Sequence, residues 1–112
     1  MSADILADRD EAIRLYEVYG PLLTEREKAL FSYYYSYDLS LSEIAENEGI
    51  SRAAVSDSLG KSLSKMKEDE SRLGLLSRQK EAAKLLKEAR EGSPKEKESA
   101  LAKLEEIVSH GI

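Results

Sequence analysis

The chain has 112 residues, 17 Lys and Arg against 22 Asp and Glu, a net charge of −5, no Cys, one His and two Pro. That is one small domain, or one module with a tail. Without Cys there is no disulfide, thiolate nucleophile or Cys-based zinc site, and one His argues against a His-rich metal site or a Ser–His relay, so neither a cofactor nor an enzyme is expected.

The predicted elements are all helices. Ile5, Ala12, Ile13, Tyr16 and Tyr19 recur at helical spacing and predict a first helix over about 6–19. Gly20-Pro21 ends it, because Pro restricts its predecessor and cannot continue a helix. Thr24 followed by Glu27 is a capping box, opening a second helix to about Tyr37. Ser40 followed by Glu43 is another, opening a short third helix to about Glu48, where Gly49 is placed to end it with positive φ. Ser51 is the N-cap of a fourth helix with the stripe Val55, Leu59, Leu63 and Met66. Glu68-Asp69-Glu70 opposes the dipole at its end, so a break is expected between 67 and 75, with Gly74 as the candidate. A fifth helix over about 75–91 carries Leu75, Leu76, Ala82, Ala83, Leu86 and Ala89. Gly92 stops it. Ser93-Pro94 caps a last helix to about His110, with Leu101, Leu104, Ile107 and Val108 as its stripe. No strand-like alternation exceeds three residues and no internal repeat is visible.

No apolar run approaches the roughly 18 residues that would span a bilayer, so no membrane insertion is expected. Residues 1–10 carry three Asp and no apolar core, unlike a signal peptide, which makes the expected location cytoplasmic. Charge is uneven. Residues 31–50 hold four acids and no base, whereas residues 71–91 hold six bases and three acids. Phosphate would be repelled by the first half, so any nucleic-acid face must lie beyond residue 50.

The informative stretch is 39–59. Ala45 sits where only a small residue lets two helices cross closely, and Gly49, four residues on, supplies a left-handed turn. Ile50 plugs the corner, and Val55 packs the second helix on the first, with Ile44 and Leu59 completing the core. Two helices joined by so short a turn have helix-turn-helix geometry, which sends the second helix into a major groove. Such units also serve as protein docking modules.

Leu22-Leu23-Thr24-Glu25-Arg26-Glu27, Leu41-Ser42-Glu43-Ile44-Ala45 and Gly49-Ile50-Ser51-Arg52 together resemble region 4 of bacterial sigma factors. Residues 14–73 more closely resemble the YlxM family of small bacterial helix-turn-helix proteins. Genes of that family usually lie beside those of the signal recognition particle and its receptor. The resemblance implies a sigma-region-4-like trihelical helix-turn-helix head, placed over 1–72; the helical stripes beyond it add a C-terminal helical hairpin over 73–112, and the fold expected is all-α. The resemblance also implies a regulatory or accessory role in the signal recognition particle pathway, either by binding DNA or by docking on particle components.

In such folds the positions free to meet DNA are Ser51, Arg52, Ala53, Ser56, Asp57 and Gly60, with Lys61 and Lys65 extending the helix. Arg52 suits guanine or phosphate, and Ser51 and Ser56 suit phosphates or base edges. Asp57 meets phosphate repulsion unless it accepts from a cytosine amine. Lys61, Lys65 and Lys67 offer phosphate contacts. The aromatics at 31–37 read as packing rather than as a base-stacking platform, because no basic residue is interleaved among them. Spread over two helix faces, they predict cover on both sides. The bases Arg72, Arg78, Lys80, Lys84, Lys87 and Arg90 read as a solvated face paired with Glu81 and Glu88. Tail helices of about 17 residues are marginal alone, so they must pack on the head or on a second copy, and a homodimer is expected.

Overall fold

The computed structural model describes residues 8–110, all of whose regular elements are helical. Two compact units divide the chain, one reaching Ser71 and the other starting at Arg72. No helix among the described residues is long and apolar enough to cross a membrane.

In the first unit α1 spans Arg9–Tyr19, with Asp8 as its N-cap. Ile5, expected near its start, lies outside the described residues. Pro21 converts the exit of α1 into one 3₁₀ turn, Gly20–Leu22. Helix α2 spans Glu25–Tyr35, α3 Leu41–Glu48 and α4 Arg52–Leu73. The core of this unit draws on all four helices: Ala12, Leu15 and Tyr19, then Leu30, Phe31 and Tyr35, then Ile44 and Ala45, then Val55, Leu59, Leu63 and Met66.

Helix α2 stops at Tyr35, two residues before the expected end. Asp38 takes the left-handed conformation at φ 60°, which Asp tolerates better than most residues. Local backbone bonds close this end, the Ser32 carbonyl accepting from the Tyr37 N–H and the Tyr33 carbonyl from the Leu39 N–H, each at 2.9 Å, and a tertiary contact reinforces them. The Arg9 guanidinium, arriving from α1, donates to the Tyr35 carbonyl at 2.6 Å and pairs with Asp38 at 3.3 Å. A cation on the last carbonyls satisfies and neutralises a helix C-terminus. Tyr37 therefore falls outside the helix, 70% exposed. Phe31, Tyr34 and Tyr35 form one cluster with Tyr16, while Leu30 on the neighbouring face of α2 is buried as well. Tyr16 stacks on Phe31 at 4.7 Å, Phe31 meets Tyr35 at 4.4 Å, and Tyr34 meets Tyr35 edge-on at 4.9 Å. Burial raises the Tyr35 hydroxyl to about 12, aided by neighbouring Tyr34.

Both predicted capping boxes of the head form. The Thr24 N–H donates to the Glu27 carboxylate at 2.8 Å, and Thr24 Oγ1 accepts from the Glu27 N–H at 3.1 Å. Ser40 and Glu43 do the same, each at 3.0 Å. The Thr24 N–H holds the Glu27 carboxyl below its ordinary range, with Lys65 adding attraction and partial burial opposing; the Ser40 N–H holds Glu43 down likewise. Folded-state values below the unfolded ones mean stability that is present above the ordinary Glu range and lost as pH falls through the lowered values. The melting temperature is thus expected to be level from pH 7 to about pH 5 and to fall below about pH 4. Glu27→Gln keeps a capping acceptor but not the charge. It should make the acid fall shallower in melts followed by circular dichroism; identical acid slopes in the two proteins would contradict this.

In the second unit Gly74, at φ 63°, separates α4 from α5, Leu75–Glu91, so the break falls where its candidate glycine stood. Pro94–His110 forms α6. Ser93 and Glu96 complete a further capping box, at 3.3 and 3.4 Å. The two helices pack as a hairpin across the short Gly92-Ser93 connection. Leu76, Leu85 and Ala100 are buried here.

Candidate nucleic-acid interface

The corner between α3 and α4 is built by local chemistry. Gly49 adopts φ 67°, ψ 33°, a conformation that costs an L side chain roughly 1–2 kcal/mol. The turn it makes lets the Ala45 carbonyl accept from both the Gly49 and the Ile50 N–H groups, the latter at 3.1 Å. Ser51 Oγ then accepts from the Ala54 N–H at 3.0 Å and opens α4. That hydroxyl keeps its own proton free to donate outward. Behind the corner, Ile44 and Val55 are fully buried, so the two helices are locked face to face.

This arrangement turns the first two turns of α4 outward. Ser51, Arg52, Ala53 and Asp57 are exposed, and Ser56 and Gly60 are half-buried. Ala53, Asp57 and Lys61 recur at helical spacing opposite the buried stripe of Val55, Leu59 and Met66. Arg52 and Ser56 occupy one flank. Lys65 lies on the other, about 20 Å along the axis from Arg52. The expected residues therefore share one helix but form two groups: a cluster in the first two turns, and lysines two turns further on.

Lys65 has a structural task that spacing along α4 does not reveal. Its Nζ donates to the Leu22 carbonyl at 3.2 Å and lies close enough to Glu27 to help hold that carboxyl ionised. Ser62, buried on the same helix, also faces Glu27. Thus Lys65 tethers α4 to the start of α2, and Lys61 is the more available cation. A shallow depression along the outer face of α4 has Gly60 and Ser64 between Asp57, Lys61, Lys65 and Glu68. Its charges alternate, so the positive surface is interrupted by Asp57 and Glu68. The electrostatics can position a few phosphates but cannot supply strong binding without regard to sequence.

Tyr19 is a further fixture that was not legible in advance. Its buried hydroxyl donates to Glu70 at 2.6 Å, joining the end of α1 to the last turns of α4. An acid there opposes the helix dipole, and this hydrogen bond gives it a role.

The family described as "Putative helix-turn-helix protein, YlxM / p13 like", UPF0122, matches residues 6–107. A UPF0122 protein of Symbiobacterium thermophilum is 43% identical over 77 residues, which are 69% of this chain and 72% of that protein. One from Thermoanaerobacter sp. is 40% identical over 78 residues, 70% of this chain and 67% of its own. One from Halalkalibacterium halodurans is 35% identical over 95 residues, 83% and 87% of the two chains. The corner at Gly49, the outward first turns of α4 and these likenesses agree: the chain belongs to the UPF0122 family of YlxM / p13-like helix-turn-helix proteins.

Proposed function

We propose that this protein is a cytoplasmic, non-catalytic DNA-binding regulator whose recognition element is the first half of α4, and that it acts in the signal recognition particle pathway. The observation that carries the reading is the exposure of Ser51, Arg52, Ala53 and Asp57 on a helix whose opposite face is locked to α3. A rigid helix start with small residues beside one Arg fits a major groove about 12 Å wide. Two copies, with recognition helices about 34 Å apart, would meet successive major grooves.

Selection from a random duplex library is the direct test. Enriched sequences should lose about 1–3 kcal/mol of affinity with Arg52→Ala, as a bidentate base contact does, and random duplex should lose far less. Lys61→Ala should weaken both alike and lower the salt slope by about one unit. Lys65→Ala should weaken the fold as well, because of its tether to Leu22. No enrichment from the library would overturn the DNA reading.

The mixed charge of the α4 surface favours a second reading, an accessory that docks on signal recognition particle components. Pull-down from lysate separates the two. Retention of a particle protein or its RNA after DNase treatment supports docking, and loss of all partners after DNase supports DNA.

A further inference from the structure

We propose that two copies of this chain join through one face of the α5–α6 hairpin, with α5 of one copy seated on α6 of the other. The inference rests on the two-copy reading above and is independent of whether DNA is bound.

The hairpin buries little. Among its described residues only Leu76, Leu85 and Ala100 are buried, whereas Leu86 is 50%, Leu101 54% and Val108 82% exposed. Units of about 40 residues rarely hold themselves together on so small a core. Leu85 and Ala100 stand equally far from the Gly92-Ser93 turn and mark where the two helices face each other. Leu86 follows Leu85, and Leu101 follows Ala100, so each lies about 100° further round its helix. In antiparallel helices, equal rotations away from facing stripes end on the same side of the pair. Leu86 and Leu101 thus share one face of the hairpin, level with each other to within about one turn. Val108, seven residues after Leu101, continues that face along α6.

The rims of this face identify its occupant. Four residues beyond Leu86 stands Arg90; four beyond Leu101 stands Glu105, and three before it Glu98. All three are exposed. Helix α5 carries five basic and three acidic residues, and α6 carries three basic and four acidic. The face thus carries Leu86, Leu101 and Val108, with Arg90 on the α5 edge, Glu98 and Glu105 on the α6 edge, and Lys97 between the helices. A two-fold axis parallel to the helices and lying in this face sets α5 over the partner's α6. It buries both leucines and brings Arg90 within about one helical turn of Glu98 of the partner subunit. The surface is complementary to itself, which is what an isologous contact requires.

Sedimentation or light scattering of the full chain over a concentration series tests it. The expected mass is twice the 12.5 kDa of the chain. Leu86→Glu with Leu101→Glu should give the single-chain mass, with helical circular dichroism retained because both sites are exposed. Arg90→Glu alone should weaken the dimer several-fold, and Arg90→Glu with Glu98→Arg on the same chain should restore it. A single-chain mass at every concentration would overturn both the dimer and the interface. A dimer that survives the two leucine changes, or a charge swap that restores nothing, would overturn this interface and leave the two-copy reading standing.

Discussion

Phe31→Ala is expected to be the most damaging single substitution in the head. The ring is 0% exposed and lies between Tyr16, stacked at 4.7 Å and 18°, and Tyr35 at 4.4 Å and 31°. Truncation removes the transfer energy of the ring and leaves a cavity, together about 3–5 kcal/mol. It also removes two aromatic contacts, each worth about 0.5–1.5 kcal/mol beyond area. Small domains hold only about 5–15 kcal/mol in total. At about 4–8 °C per kcal/mol, the melting temperature should drop by at least roughly 12 °C. Phe31→Leu keeps most of the volume and should cost much less. Thermal melts followed by circular dichroism decide this. A Phe31→Ala protein melting within about 3 °C of the parent would show that the cluster does not hold α1 to α2.

Ala45→Leu comes next, and it acts by overfilling rather than by emptying. Ala45 is buried on α3 beside fully buried Ile44. Its own carbonyl is held by the Gly49 and Ile50 N–H groups, so the backbone there cannot move aside without breaking the turn. Added methylenes in such a place force backbone shifts costing about 1–3 kcal/mol. Ala53→Leu is the control, since Ala53 is exposed on α4. It should leave the melting temperature nearly unchanged while obstructing the proposed recognition surface. Equal melting temperatures for Ala45→Leu and the parent would place the crossing of the two helices elsewhere.

The two mutations differ in how legible their sites were. Ala45, Gly49, Ile50, Ser51 and Val55 form a local constellation in which each residue's role follows from its neighbours. Nothing local distinguishes Phe31 from the other aromatics in the run 31–37, because helical spacing alone distributes them over two faces. Only the arrival of Tyr16 from α1 selects Phe31 and Tyr35 as the covered pair.

The six described helices, the N-caps Thr24, Ser40, Ser51 and Ser93, and the breaks at Gly20-Pro21, Gly49, Gly74 and Gly92 were legible from the amino acids alone. Those features depend on backbone groups and side chains within four residues of each other, and Thr24, Ser40 and Ser93 act on their own helices whatever surrounds them. The helix-turn-helix corner was legible too, for the same reason. Tertiary packing brought Arg9, 26 residues away, onto the Tyr35 carbonyl at the end of α2. It set Lys65 on the Leu22 carbonyl, 43 residues away, which tethers Lys65 and leaves Lys61 the more available of those two lysines. It also gave Glu70 a hydroxyl donor, Tyr19, 51 residues away. Contacts at such separations follow from how faces meet; periodicity named the covered face of α4, but in the hairpin Leu85 and Ala100 are buried while the stripe residues Leu86, Leu101 and Val108 are exposed.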